Sequence, residues 1–176
     1  MKVQESISII GGADGPTSVF LAGRLDWNWL NVFGLIIMIL ILIPNIIYAI
    51  KEKNHENKCT NMFMNAMEQI GRYGCMLLMV VNIGIDEMGF RSIGAFLFYL
   101  FGNVLLIVCY WVIWMLYFIK PTYCKQMLLA LIPVSIFLLS GITMLYWLLI
   151  ICAIVFGIGH VYVVKKNNEK EILESR

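Results

Sequence analysis

Residues 93–119 read "IGAFLFYLFGNVLLIVCYWVIWMLYFI", a stretch of 27 residues in which no side chain carries a charge. A helix needs about 20 consecutive, mainly apolar residues to cross the hydrocarbon core of a bilayer. This stretch is therefore long enough to span a membrane, and we predict that it forms a transmembrane helix.

The rest of the chain has the same character. Of its 176 residues, 61% are hydrophobic and only 14% are charged, and the mean hydropathy is +0.83. About a quarter of the residues of an ordinary soluble domain are charged. We therefore predict an all-α integral membrane protein.

Apolar runs of membrane-spanning length recur along the chain. The predicted helices lie near residues 30–50, 64–85, 93–119, 127–145 and 146–164. A motif-bearing segment, residues 1–28, precedes a bundle at 29–165, and a charged tail follows at 166–176. The predicted architecture is thus a bundle of about five transmembrane helices preceded by a Gly-rich broken-helix or turn segment.

Basic residues indicate how the bundle is oriented. Nine of the 13 lysines and arginines fall in loop 51–63, loop 120–126 and the C-terminal tail, which share one side if five helices alternate. Cytoplasmic loops carry an excess of such residues. We expect a multi-pass protein of the cell membrane with its N-terminus outside and its C-terminus in the cytoplasm.

Some residues within the predicted helices need a local explanation. Pro44 and Asn45 are expected to break the first helix near its inner end, and Pro133 to kink the fourth. Aromatic side chains cluster at both ends of residues 93–119, which is typical of the belts that such residues form at the two membrane interfaces. His160 is read as a packing or interfacial histidine rather than a proton relay.

The second predicted helix carries a polar stripe. Its members recur at intervals of three and four residues, which places them on one helical face; they are Asn61, Asn65, Glu68, Arg72, Cys75, Met79 and Asn82. Glu68 and Arg72 stand at i and i+4 and are expected to pair. The stripe could line a polar cavity or ion path, or consist of a neutralised pair near the headgroups with Asn82 bonded to a neighbouring helix.

The N-terminal segment contains "SISIIGGADGPTSVFLAGRL", residues 6–25. It lacks the lysine that a phosphate loop requires. Gly11 and Gly12 allow unusual backbone angles, Asp14 suits a helix N-cap, and Pro16 suits a first helical turn. These residues predict a broken helix or a strand-to-helix turn, a geometry that secondary transporters use to build ion sites.

The same stretch resembles the signature of the β subunit of the sodium-pumping decarboxylases that act on oxaloacetate, methylmalonyl-CoA and glutaconyl-CoA. In that family the membrane subunit couples decarboxylation of carboxybiotin to sodium export. The resemblance implies a sodium site at Asp14, shaped by the neighbouring residues of the motif, which are Gly11, Gly12, Gly15, Pro16 and Thr17. It covers residues 6–25 and does not extend into the helices.

The resemblance also sets expectations about partners. The family's subunit is larger and has two related halves at its ion site, whereas this chain shows one motif. We therefore expect it to form a homo-oligomer, to join a membrane complex that includes biotin-dependent decarboxylase subunits, or to use the motif differently. The lipid bilayer is an expected partner and nucleic acid is not.

No motif of a soluble-type enzyme is visible, and we do not expect an enzyme acting by itself. No cofactor is expected beyond a sodium ion. The five cysteines are widely spaced and predict neither a disulfide framework nor a metal cluster, and the pair His55 and Cys59 is weak support for zinc. The predicted function is related to sodium transport; the alternative is a small helical membrane protein with a structural, assembly or interaction role.

Overall fold

A computed structural model describes residues 30–51, 59–81, 90 and 92–174 of the chain. In this part the predicted all-α bundle is confirmed. The described residues form five helices, which are α1 (Val32–Lys51), α2 (Met62–Val80), α3 (Ile93–Ile119), α4 (Tyr123–Thr143) and α5 (Trp147–Glu174). Asp14 with its whole motif, and Asn82, lie outside the described residues.

Helix ends follow local capping chemistry. The Asn61 side chain accepts a hydrogen bond from the backbone N–H of Met64, and Ser92 does the same for Ala95, so each side chain covers an otherwise unpaired donor at a helix start. At the C-terminal end, α5 continues as a helix through the charged tail to Glu174. There Lys166 and Glu169 pair at i and i+3 with an N–O distance of 2.7 Å.

Within the described residues, four helices are long and apolar enough to cross a membrane: α1, α3, α4 and the part of α5 from Trp147 to Lys170. This makes the chain a membrane protein. Helix α2 does not meet the same criterion because its polar stripe lowers its hydropathy. Its 19 residues give a length of about 28 Å at 1.5 Å per residue, close to the hydrocarbon thickness.

The helices form a closed ring. Helix α1 contacts α2, α2 contacts α5, α5 contacts α4, α4 contacts α3, and α3 returns to α1. The most extensive of these contacts joins α2 to α5. Consecutive helices run in alternating directions. One end of the ring therefore carries Lys51, Lys120, Lys125 and Lys165, and we call it the basic end.

Glycines allow α2 and α5 to pack closely. A Cβ atom added at Gly71 would lie 2.5 Å from the backbone nitrogen of Phe156, and one added at Gly159 would lie 2.7 Å from the backbone nitrogen of Glu68. Only a residue without a side chain fits at either position. Small residues at such crossings are typical of membrane helices, because they bring backbones and polar side chains into contact.

The proline in α1 does not end the helix, contrary to the expected break at Pro44 and Asn45. Proline has no N–H, so the carbonyl of Leu40 loses its partner within the helix. The indole N–H of Trp111 on α3 donates to that carbonyl at 3.0 Å. The Asn45 amide donates to the carbonyl of Ile41 at 2.8 Å, and the helix continues to Lys51.

The aromatic residues of α3 do not all lie in interfacial belts. Tyr99, Tyr110 and Trp114 are buried in the core, on the same helical face as Asn103 and Ile107. Phe98 and Phe101 are exposed. The belt prediction was therefore wrong for the three buried rings, because the spacing of four, four, three and four residues from Tyr99 to Trp114 turns them into the ring of helices.

Candidate functional site

A buried carboxylate joins α2 to α5. Glu68 is 4% exposed, and its Oε1 atom accepts hydrogen bonds from the guanidinium of Arg72 and from Nδ1 of His160, the latter at 2.9 Å. Arg72 lies one turn along the same helix, as expected from the i, i+4 spacing. The negative charge of Glu68 is thus neutralised within the bundle.

The geometry of this cluster depends on the close approach of the two helices. Gly159 of α5 faces the backbone of Glu68, so His160, the next residue, reaches the carboxylate directly. Phe156 lies one turn earlier on α5 and stacks on the imidazole, with ring centroids 4.9 Å apart and planes 19° apart. The Arg72 guanidinium carbon lies 5.9 Å from the centroid of the same phenyl ring, within cation–π range.

Arg72 and His160 face a cavity of about 500 Å³ near the basic end. All five helices contribute to its wall, so it lies inside the ring. Most of the wall is apolar, with side chains such as Met38, Ile41, Leu129 and Phe137. A volume of this size falls in the range of about 300–1,000 Å³ typical of small-molecule sites.

Polar side chains also line this cavity, and they form hydrogen bonds between helices. The Asn45 amide donates to the Tyr110 hydroxyl at 2.9 Å and links α1 to α3. The Gln126 amide donates to the Tyr117 hydroxyl at 3.2 Å, and Asn168 donates to Gln126 at 2.8 Å, which connects α3, α4 and α5. These bonds pair polar side chains of neighbouring helices with one another.

The charge of the wall has one sign. Among the described residues that line the cavity, Arg72 is charged, His160 can carry a positive charge, and none is a carboxylate. Glu68 lies behind this wall. A positively charged lining favours an anion, whereas sodium and other hard cations prefer carboxylate and carbonyl oxygens.

A second buried polar contact lies farther along the bundle, away from the basic end. Asn103 on α3 and Ser140 on α4 are both almost fully buried, and the Asn103 amide nitrogen lies 3.3 Å from the Ser140 hydroxyl. The same nitrogen donates to the Tyr99 carbonyl at 2.8 Å. Hydrogen bonds of this kind hold membrane helices together, and we read this one as packing rather than as a site.

The structure brings together part of the predicted polar stripe. Glu68, Cys75 and Met79 are buried, and Arg72 is half-buried beside the cavity. Asn65 instead donates to the backbone carbonyl of Cys59 at 2.9 Å. The described residues do not include the motif or Asn82. The predicted roles therefore remain predictions for Asp14, Gly11, Gly12, Gly15, Pro16, Thr17 and Asn82.

His160 is the second partner of Glu68, and the sequence alone did not connect these two residues. The sequence held a signal for it: His160 follows Gly157 and Gly159 near the basic end of α5, at the depth of Glu68 in α2. Cys75 is also buried at this interface, and a Cβ at Gly74 would meet the Cys152 sulfur at 3.2 Å.

The described ranges contain no preformed metal site. No group of three or more His, Cys, Asp or Glu side chains there could hold a metal ion. The described cluster can instead balance charge at a helix interface and present donors to a cavity.

No protein-family model, curated protein or solved structure matches this chain.

Proposed function

We propose that this multi-pass membrane protein takes part in sodium transport and that Asp14 is its sodium ligand. The observation that carries the proposal is the stretch "SIIGGADGPTSVFLAGRL", which resembles the signature of the sodium-pumping decarboxylase β subunit. Gly11, Gly12, Gly15, Pro16 and Thr17 would shape the backbone around the ion. Discontinuous membrane segments of this composition are how many transporters form ion sites.

The described helices support a role within an assembly rather than a pump made of one chain. Sodium held inside a membrane needs several oxygen ligands and a balancing charge. Glu68 is the buried carboxylate in the described part of the chain, and Arg72 and His160 already neutralise it. Further ligands would come from a second copy or from another subunit, including the biotin-dependent decarboxylase subunits that the motif implies.

We also propose that the protein lies in the cell membrane with the basic end in the cytoplasm. Lys51 packs over the Phe118 ring at 5.0 Å, and Lys125 donates to the carbonyls of Leu116 and Lys120 at the end of α3. These lysines therefore lie together at one end of the bundle. An excess of basic residues at one end is typical of the cytoplasmic side.

Sodium-dependent thermal stabilisation of the purified protein tests the proposed ion site. A ligand that binds only the folded state raises the unfolding temperature as its concentration rises. We expect sodium to stabilise the wild type more than potassium does, and Asp14→Asn to remove the difference. If sodium and potassium act alike on wild type, both as the isolated protein and in its membrane assembly, the sodium proposal is wrong.

A structural or assembly role is the second candidate, and the neutralised Glu68 favours it. In that case the polar stripe joins helices instead of lining an ion path. Glu68→Gln would then lower the amount of folded protein and leave the sodium response of the remaining folded protein intact. Loss of a transport signal at normal protein level would instead place Glu68 in the ion path.

A further inference from the structure

We propose that the cavity between the five helices binds one amphipathic carboxylate, a molecule with a single negative head and a hydrocarbon chain. The head would lie against Arg72 and His160, and the chain along the apolar wall. The proposal is argued from the described helices, and its test does not depend on the sodium proposal.

The donors at the head of the site are held in place before a ligand arrives. The Glu68 carboxylate fixes Arg72 through one end of its guanidinium, and a guanidinium has five N–H donors in a planar fork. The remaining donors can therefore serve a second carboxylate. Since Arg72 is half-buried at the cavity wall, a ligand in the cavity can reach them.

His160 supplies the second contact. Its Nδ1–H donates to Glu68, so the imidazolium form, in which both ring nitrogens carry a proton, is the form that offers Nε2–H to a ligand. The stack of the imidazole on Phe156 fixes the plane of the ring and hence the direction of Nε2. A pre-oriented pair of donors lowers the cost of ordering the site when a ligand binds.

Charge selects a singly charged head. Glu68 and Arg72 cancel, so the cluster is neutral with a neutral His160 and carries one positive charge with a protonated His160. One carboxylate balances the charge of the protonated form, which is also the form that offers Nε2–H. A doubly charged head would leave an uncompensated negative charge in a site of low dielectric, which is costly.

The remaining wall selects a hydrocarbon chain. The cavity is also lined by Met76 on α2 and by Ala130, Pro133 and Phe137 on α4. These side chains offer no donors or acceptors to a polar ligand. Burial of apolar surface is favourable in proportion to its area, so a chain of several methylene groups binds better than a small acid.

Binding of radiolabelled dodecanoate to the full-length protein in lipid nanodiscs tests this proposal, with empty nanodiscs as the background. We expect saturable binding of one dodecanoate per chain. Dodecanol, dodecylammonium, dodecyl phosphate and butyrate should each compete at least tenfold more weakly than unlabelled dodecanoate. Absence of saturable binding, or equal competition by any of these four compounds, overturns the proposal.

Substitutions at the two parts of the site provide a second test. Arg72→Gln should weaken dodecanoate binding at least tenfold because it removes the charged fork. Lys165→Gln is the matched control: Lys165 is an exposed cation on α5 outside the cavity, and its loss should leave affinity unchanged. An equal loss in both variants would show general charge attraction and overturn the proposal.

A cavity-filling variant covers the case in which Arg72→Gln fails to fold. Ala130 is buried at the cavity wall, so Ala130→Phe should occupy the space of the hydrocarbon chain and abolish binding. Its neighbour Leu131 is exposed on the outer surface, and Leu131→Phe should bind as wild type does. Undiminished binding by folded Ala130→Phe would overturn the proposal.

Discussion

Glu68 on α2 and His160 on α5 are in direct contact, with Oε1 and Nδ1 2.9 Å apart inside the bundle. The contact joins the two helices that share the most extensive interface in the ring. It also turns a carboxylate that would be costly in hydrocarbon into a neutralised group. The polar stripe of α2 is therefore tied to packing at this point.

Removing the charge of Glu68 should destabilise the protein. Glu68→Gln leaves Arg72 and His160 without their anionic partner, and loss of a buried, charge-assisted hydrogen bond costs about 1–3 kcal/mol. Glu169→Gln is the matched control, because Glu169 forms an exposed pair with Lys166. Chemical unfolding in detergent should show a lower midpoint for Glu68→Gln alone; equal midpoints in the two variants would contradict the assignment.

The tight crossing of α2 and α5 predicts intolerance to a single methyl group. Gly71→Ala would press a Cβ against the backbone of Phe156, and overpacking of this kind costs about 1–3 kcal/mol. Gly94→Ala offers a control, since a Cβ there meets nothing closer than 3.7 Å. We expect Gly71→Ala to lower the thermal unfolding temperature and Gly94→Ala to leave it unchanged. A lower unfolding temperature for Gly94→Ala than for Gly71→Ala would contradict the close crossing of α2 and α5.

The bond from Trp111 to the Leu40 carbonyl predicts a coupling with Pro44. Trp111→Phe should cost about 1–2 kcal/mol because the carbonyl loses its donor in an apolar setting. In a Pro44→Ala background, residue 44 regains an N–H that bonds the same carbonyl, so Trp111→Phe should cost less there. A double-mutant cycle of unfolding free energies measures this, and strict additivity would argue against the bond.

The proposed orientation predicts which cysteines react from outside. Cys124 is exposed at the basic end, and Ser92 is exposed at the start of α3, at the opposite end. In variants with one cysteine each, a membrane-impermeant maleimide should label Ser92→Cys in intact cells. It should label Cys124 only after permeabilisation. The opposite pattern would place the N-terminus in the cytoplasm.

Composition was sufficient to predict the helical membrane class, because runs of about 20 apolar residues have few other uses. The i, i+4 spacing likewise predicted the pair of Glu68 and Arg72. Composition and spacing did not predict the contacts between helices, since these depend on which helices are neighbours in the ring. His160 joined Glu68 only because α5 lies beside α2, and Trp111 reached Leu40 only because α3 lies beside α1.

The inward face of α3 was predictable in part. The spacing from Tyr99 through Asn103 and Tyr110 to Trp114 marks one helical face, but aromatic residues near helix ends also suit an interfacial belt. Periodicity gives the better interpretation when the aromatic residues share a face with a buried polar residue such as Asn103. The cavity had no sequence signal, because its wall combines residues from five separate segments.

Sodium binding by the purified protein, in its membrane assembly, tests the central claim most directly. Radioactive sodium should bind saturably to wild type and to Asp26→Asn, which removes a carboxylate of the same segment outside the motif. Binding should be lost in Asp14→Asn. Wild type that fails to bind sodium, or Asp14→Asn that binds it as wild type does, would contradict the account.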